Sequence, residues 1–297
     1  YNGVAGCGTT KKAIDIVKQY PDDCLVLTAT RSAAADLRMR ISESILETYS
    51  EKELKLRFRT LDFLLVCMSN FKDSTDKDGF KILIIDECYM MNLGGLLAAM
   101  VLTNVVLVVC IGDRFQLPYI ERDRMVTFQY DDLDRVSVLR DVFNVSSRCP
   151  ADVCEILTDV YSHAGMKGMV TTNRVCNSID VKPLLELRDI SENVNDKTVV
   201  LTFKQEEKQE LLAKINNVNI LNCFTIHEFQ GRTSENVILV RLSHLEMDEI
   251  YSSANHQLVA LTRHTVRFVY YTRKLGDSLC KRIKLKVTAN SNRECWS

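Results

Sequence analysis

The chain has 297 residues, of which 46% are hydrophobic and 26% charged, with 11 Gly and 4 Pro. That length suits about two domains and supplies ample apolar mass for a core, which excludes a disordered, collagen-like or Pro-rich chain. With 38 basic and 39 acidic residues the formal charge is −1, so the chain is no polycation and any nucleic-acid contact must come from a local patch.

Eleven cysteines are present. None forms a Cys-x-x-Cys pair; the nearest approach is Cys149 and Cys154, and no His pair stands at zinc spacing. Cys67 and Cys110 sit inside apolar runs, where a thiol behaves as a small hydrophobe. Reduced thiols in a cytosolic setting are therefore expected. The chain opens Tyr1-Asn2-Gly3, without initiator Met, basic leader or cleavage pattern, and reads as a piece of something longer.

In chain order, short β-branched runs fall at Cys24–Thr28, Lys81–Ile85, Val105–Ile111, Thr198–Phe203, Val237–Leu242 and Val266–Tyr271. Helical periodicity spans Ser32–Ser50 and Gln205–Val218. Strands alternating with helices predict an α/β protein with parallel sheets, whose ligands bind at the carboxyl ends of strands. Gly94–Gly112 carries no charge and imitates a membrane span. Thr103-Asn104 break it, so it reads as a buried helix followed by a buried strand. Thr171–Ser178 and Asp189–Asp196 read as loops. A domain boundary is expected near 140–146, after Asp131–Asp134 and before Ser146-Ser147-Arg148, which gives domains 1–143 and 144–297.

Chemistry concentrates just after these runs. Gly3–Thr10 (GVAGCGTT) has the glycine frame of a phosphate loop, G-x-x-x-x-G-K-[ST], in which backbone N–H groups turn inward on phosphate oxygens. Thr10 stands where the Mg²⁺-bound hydroxyl belongs, and Thr9 where the lysine belongs. Lys11 and Lys12 follow but point elsewhere on a helix. The strand Ile82–Ile85 ends in Asp86, suited to Mg²⁺, and Glu87, suited to polarising water. Gly112–Gln116 follows another buried run, where Gln116 is either a γ-phosphate donor or a turn residue. Thr225–Thr233 and Val259–Thr265 are polar segments flanking later strands. Arg263 there is either a neutraliser of phosphoryl charge or a surface ion-pair residue. From Arg263 to Lys286 the basic positions 263, 267, 273, 274, 281, 282, 284 and 286 face one acid, Asp277, so this stretch is either an RNA contact or a solvated face. Phe268, Tyr270 and Tyr271 within it suit base stacking or, more simply, the core.

Taken together these segments resemble the superfamily 1 RNA helicases of the alphavirus-like positive-strand RNA viruses, especially those of plant viruses. In order, Gly3–Thr10 resembles motif I except at Thr9. Leu27–Arg31 with Ala33–Asp36 resembles motif Ia, and Arg59–Asp62 is placed like the next. Ile85–Met90 resembles motif II and Gly112–Ile120 motif III. Ser147–Pro150, Phe224–Thr233 and Val259–Thr265 resemble motifs IV, V and VI.

The resemblance implies two RecA-like P-loop NTPase domains with ATP or another NTP and Mg²⁺ between them. It implies that Gly3, Gly6, Cys7, Gly8, Thr9, Thr10, Gln230 and Gly231 line the nucleotide, and that Thr10 and Asp86 hold the metal. Glu87, Gln116, Arg148 and Arg263 would be catalytic. Thr30, Arg31, Thr225 and His227 would face single-stranded or duplex viral RNA. In several relatives the same site also removes the RNA 5′ γ-phosphate. Partner domains would be a capping methyltransferase and an RNA polymerase. The place of action would be the host cytoplasm, at membrane-associated replication complexes reached through those partners, since no span is present. Two alternatives stay open: an RNA-binding scaffold impaired by Thr9, and a helicase-like movement protein. The two residues before Gly3 also predict a first sheet without its central strand, and hence exposed apolar edges and poor solubility.

Overall fold

The computed structural model describes residues 1–44, 49–67, 79–119, 133–138, 141–162, 168–214, 222–245 and 248–284. The chain divides into two units. The first comprises Tyr1–Gly3, Gly8–Arg114 and Pro118–Phe143. The second comprises Val4–Cys7, Phe115–Leu117 and the chain from Asn144 onward.

The first unit carries β1 (Asn2–Gly3), β2 (Cys24–Thr28), β3 (Phe58–Thr60), β4 (Ile82–Asp86), β5 (Leu107–Ile111) and β6 (Val142–Phe143). Its main sheet has the order β3-β2-β4-β5, parallel throughout. Alternation sends Leu25, Leu27, Leu83 and Ile85 to one face, under the helices Leu61–Val66 and Leu93–Thr103. Val26, Ile82, Ile84 and Ile111 go to the other face, under Thr9–Gln19 and Arg31–Ser44. A strand covered on both sides reads as an unbroken apolar run, and each such side chain contributes about 1.5–3 kcal/mol by leaving water. The position expected to lack a strand holds the two-residue β1. It pairs with β6 through Asn2↔Val142 and Gly3↔Phe143, and bridges to Gly112 beyond β5 through Asn2.

The apolar window resolves into the helix Leu93–Thr103, which buries Leu93, Leu96 and Ala99, and the strand β5, which is not the buried strand expected: it is the outer strand of its sheet, with Leu107 exposed and only Ile111 buried. Asn104 at φ +50° closes the helix, its N–H donating to Met100 O at 3.2 Å. Among the described residues no helix is long and apolar enough to cross a membrane.

The second unit carries β7 (Val145–Ser146), β8 (Val170–Thr171), β9 (Ile179–Pro183), β10 (Thr198–Thr202), β11 (Cys223–Thr225), β12 (Ser234–Arg241) and β13 (His264–Thr272). Its large sheet has the order β11-β10-β12-β13-β9, again all parallel. Val199, Leu201, Val237, Leu239, Phe268 and Tyr270 line one face and Val200, Ile238, Val240, Val269 and Tyr271 the other. The three aromatics of β13 are therefore core residues. The pair Arg241–Asp277 is buried at 2.7 Å, and the same Asp277 oxygen accepts from Tyr270 Oη at 2.6 Å.

Two expectations need correction. Asp189–Asp196 is no plain loop: Arg188–Ser191 is a short helix, anchored by the fully buried Ile190. Of the two thiols expected in apolar runs, Cys67 and Cys110 are half-buried, whereas Cys24, Cys88, Cys149, Cys154, Cys223 and Cys280 are buried. All the described cysteines are free. The predicted helices run Arg31–Ser44 and Gln205–Lys214; the first does not reach Ser50 as expected, because extended Ser50 caps a separate helix, Glu51–Arg57. Their extensions over 45–48 and 215–218 lie outside the described residues, as do Ile120, Asp131, Asp132, position 140, Lys286 and Cys295.

Candidate functional site

In the first unit, β1 feeds the glycine loop, and Gly3 N–H donates to Gly112 O at 3.0 Å. Gly6 and Gly8 sit at φ +76° and +88°, a region that costs a residue with a Cβ about 1–2 kcal/mol. Gly8 caps the helix Thr9–Gln19 without a side chain, and the first turn holds no acid. The leading N–H groups of that helix are thus left for an anion, which the helix dipole also favours.

Thr10, in that first turn, donates through Oγ1 to Asp86 Oδ2 at 3.2 Å. Asp86 ends β4 and is 3% exposed. Burial, then the charge of Glu87, push its carboxyl up to about 7, against the hydrogen bonds from Thr10 and from Glu87 N–H. Two crowded carboxylates and a hydroxyl are a hard oxygen set that suits a divalent cation, whose charge favours the ionised form. Glu87 stands in left-handed backbone at φ +54° directly after the strand, a strained geometry typical of functional positions. The residues therefore fit a phosphate and its metal, except at Thr9. This half-buried residue offers a hydroxyl where a cation would face the phosphates. The neighbouring lysines do not replace it: Lys11 is exposed, and Lys12 Nζ lies over the Tyr1 ring, 5.5 Å from its centroid.

Thr30 caps the helix Arg31–Ser44, accepting from Ala33 N–H at 3.2 Å, while its carbonyl accepts from Thr28 Oγ1 at 2.9 Å. Arg31 beside it is exposed. Thr30 thus has a structural duty, and Arg31 is open to a polyanion.

The second unit holds Val4–Cys7, the front of the loop. Ala5 N–H donates to Tyr161 Oη at 3.2 Å, and Gly6 O accepts from Ser147 N–H at 2.9 Å. A Cβ on Gly6 would lie 2.7 Å from both Arg148 Cβ and Ser146 Oγ, so glycine is required there by contact as well as by φ. Arg148 donates through Nη1 to Thr233 Oγ1 at 3.1 Å. Gln116 is buried, its carbonyl accepting from Asn255 Nδ2 at 2.7 Å.

Arg263 is no surface ion-pair residue. It is 1% exposed, and its guanidinium bonds Val259 O, Arg232 O and Thr262 Oγ1 at 3.0, 3.3 and 2.9 Å. Gln230 is buried beside Gly231 at φ +81°. Thr225 N–H donates to Glu228 Oε2 at 2.8 Å, and Glu228 N–H returns to Thr225 Oγ1. Burial alone would raise Glu228, but bonds from Lys208, Thr225 N–H and Gln205 outweigh it and hold the carboxyl down at about 2. This ties down the turn that presents half-buried His227. In the basic stretch, Arg263 is internal and Arg267 pairs with Asp180 at 3.0 Å; Arg273, Lys274 and Arg282 are half-buried, and Lys281 and Lys284 are exposed.

Thr10 is thus brought to Asp86, and Gly6 to Arg148. Sequence reasoning missed Tyr161 and Asn173. Asn173 Nδ2 donates to Arg148 O at 2.7 Å and Thr265 O at 2.9 Å, joining the segments that carry both arginines. Neither has a local signal, because each acts across a long sequence separation.

Residues 1–272 match the family model of the viral superfamily 1 RNA helicase core domain. The chain is 33% identical over 279 residues to replication protein 1a of Alfalfa mosaic virus, covering 91% of this chain and 23% of that protein. It is 34% identical over 284 residues to the replicase large subunit of Tobacco mosaic virus (strain OM), covering 91% of this chain and 16% of that protein. The chain thus spans a sixth to a quarter of the length of these relatives. In fold it is similar to the crystal structure of Arterivirus nonstructural protein 10 (helicase), at TM-score 0.60 and 16% identity, over 95% of this chain and 61% of that one. The complex of that helicase with DNA matches at TM-score 0.59 and 17% identity, over 95% and 62%.

Proposed function

The chain belongs to the viral superfamily 1 RNA helicase core domain family, and on that premise we propose that it hydrolyses a nucleoside triphosphate with Mg²⁺ to drive movement on viral RNA. The observation that carries this is the Thr10–Asp86 contact at the end of β4, beside an uncapped helix N-terminus and two left-handed glycines. Thr10 and Asp86 would hold Mg²⁺, which when bound neutralises charge on the β- and γ-phosphates. Loop N–H groups from Gly8 to Thr10 orient the phosphates, Cys7 N–H being engaged by Val4 O at 3.1 Å. Glu87 positions the attacking water and takes its proton. Gln116, Gln230 and Gly231 belong with the nucleotide, and Arg148 and Arg263 neutralise charge as the phosphoryl group leaves. Arg263 can do so only by exchanging its present protein acceptors for phosphate oxygens. Arg31, Thr30, Thr225 and His227 face RNA.

The same nucleotide site serves as an RNA 5′-triphosphatase. The domain works beside a capping methyltransferase and a polymerase, in the host cytoplasm at membrane-associated complexes reached through those partners. Its relatives are replicases, which supports this reading over a movement protein. Thr9 favours a second reading, an RNA-binding scaffold with little turnover. Phosphate release measured with and without single-stranded RNA, alongside RNA affinity, decides between them. RNA-stimulated release that rises strongly in Thr9→Lys supports the enzyme; RNA binding with no release, in both the native chain and Thr9→Lys, supports the scaffold.

A further inference from the structure

We propose that Tyr89 and Asp134 are positioning residues for Glu87: the hydrogen bond between them holds the turn after β4 in the left-handed form that aims the Glu87 carboxylate. The inference rests on the hydrolase reading above and adds to it a pair of residues that both lie in the first unit.

Glu87 follows β4 directly and stands at φ +54°. That backbone is strained for a residue with a Cβ, and it persists only where the neighbours over-determine it. Upstream, Glu87 N–H donates to Asp86 Oδ1 at 3.1 Å. Downstream, the short turn Cys88–Met90 closes with Met90 N–H on Glu87 O at 2.9 Å. Tyr89, in the middle of that turn, is fixed along its whole length. Its carbonyl accepts from Tyr119 N–H at 3.1 Å. Its ring lies on Gly112, where an ideal Cβ would come within 3.0 Å of Tyr89 Cδ2. Its hydroxyl donates to Asp134 Oδ1 at 2.9 Å.

Asp134 is itself anchored. Its other oxygen pairs with Arg114 Nη1 at 2.8 Å. Leu133 beside it is buried in the same core as Leu83 and Ile85, under the main sheet. Burial first, and then the bond to Asp134, push the Tyr89 phenol above its ordinary value, so the hydroxyl stays a donor. A hydrogen bond to an ionised acceptor is of the strong kind, able to offset the strain of one left-handed residue. Without it the turn relaxes toward right-handed backbone and swings the Glu87 carboxylate away from the attacking water. The Thr10–Asp86 contact precedes the turn, so the loss falls on turnover and spares metal and nucleotide binding.

The test measures phosphate release over a range of nucleoside triphosphate and Mg²⁺ concentrations in two parents, the 297-residue chain and its Thr9→Lys variant. Each parent carries in turn Tyr89→Phe, Asp134→Ala, Asp134→Asn, Glu87→Gln, and Tyr89→Phe combined with Glu87→Gln. Tyr89→Phe removes only the hydroxyl and keeps the ring on Gly112, so the fold, read by circular dichroism, is retained. Expected are losses of about ten-fold in kcat in Tyr89→Phe and Asp134→Ala, with KM and the Mg²⁺ requirement within about two-fold of the parent. Asp134→Asn, which keeps an oxygen for the Tyr89 hydroxyl, should lose less than Asp134→Ala. Once Glu87 is glutamine, Tyr89→Phe should lower kcat no further, because the group it aims is already gone. A bond that serves stability alone would instead multiply the two losses. Unchanged kcat in Tyr89→Phe, or losses that multiply in the combined variant, overturns the inference and leaves the hydrolase reading standing. No release from either parent overturns both.

Discussion

The Thr10 hydroxyl donates to the Asp86 carboxylate at 3.2 Å, joining the start of the helix Thr9–Gln19 to the end of β4. With Glu87 one residue on in left-handed backbone, two carboxylates with different tasks follow one strand. Glu87→Gln should lower kcat by about 10²–10⁴-fold with KM little changed, because it removes proton transfer and leaves binding intact. Asp86→Asn should instead raise the Mg²⁺ concentration needed for half-maximal phosphate release. Equal Mg²⁺ requirements in the two variants would contradict this division.

The two left-handed glycines of the loop should differ in tolerance. Gly6→Ala meets both a φ of +76° and a contact of 2.7 Å with Arg148 and Ser146, so it incurs backbone strain of about 1–2 kcal/mol and overpacking of about 1–3 kcal/mol. Gly8→Ala meets only Lys11 Cβ at 3.9 Å and incurs the backbone strain alone. Urea unfolding followed by circular dichroism should rank Gly6→Ala below Gly8→Ala in stability.

Asp277 anchors a buried network in the second unit, accepting from Arg241 Nη1 at 2.7 Å, Tyr270 Oη at 2.6 Å and Cys280 N–H at 2.9 Å. Asp277→Ala strands the Arg241 guanidinium and should cost about 3–5 kcal/mol. The paired replacement Arg241→Met with Asp277→Leu should cost less than Asp277→Ala alone, as read by denaturant midpoints, since it leaves no charge uncompensated.

His264 is fully buried, contacts Ser178 Oγ at 2.8 Å, and is faced by Arg148 and, through Ser178, by Asp152. Burial, more than Arg148, holds its pKa at about 3, against about 6.5 in an unfolded chain. Above pH 6.5 neither state is protonated and the contribution is constant. Between 6.5 and 3 only the unfolded state takes the proton, so stability falls with falling pH by at most about 1.4 kcal/mol per unit. His264→Gln should flatten the dependence of the second unit's thermal midpoint between pH 6.5 and 4. An unchanged slope would refute the assignment.

The strands that could be read in advance were the long apolar ones, all but β5 buried over most of their length. Cys24–Thr28 is β2 residue for residue, and β4, β5, β10, β12 and β13 fall within two or three residues of the runs that announced them. The strands that escaped are short or polar. Phe58–Thr60 has three residues with an arginine in the middle, and Ile179–Pro183 is an edge strand ending in proline. Their pairing comes from the neighbours, not from their own pattern. The phosphate loop, Asp86 and Glu87 were legible because glycines, hydroxyls and carboxylates at fixed spacing announce chemistry locally. The burial of Arg263 was not legible, since an arginine's surroundings are set by where β13 and the turn at Arg232 happen to meet.

The sequence by itself determined the parallel α/β architecture and the order of the functional segments, because periodicity and glycine spacing act over a few neighbouring residues. It also determined that Thr9 leaves the loop without its cation. Only the tertiary structure decided that Arg148 crosses Gly6, that Tyr161 holds Ala5, and that Asn173 joins the two arginine-bearing segments. Those relationships span up to 156 residues of chain. No local preference encodes such a contact; it exists only once the cores have closed and fixed each backbone within hydrogen-bonding reach of the other.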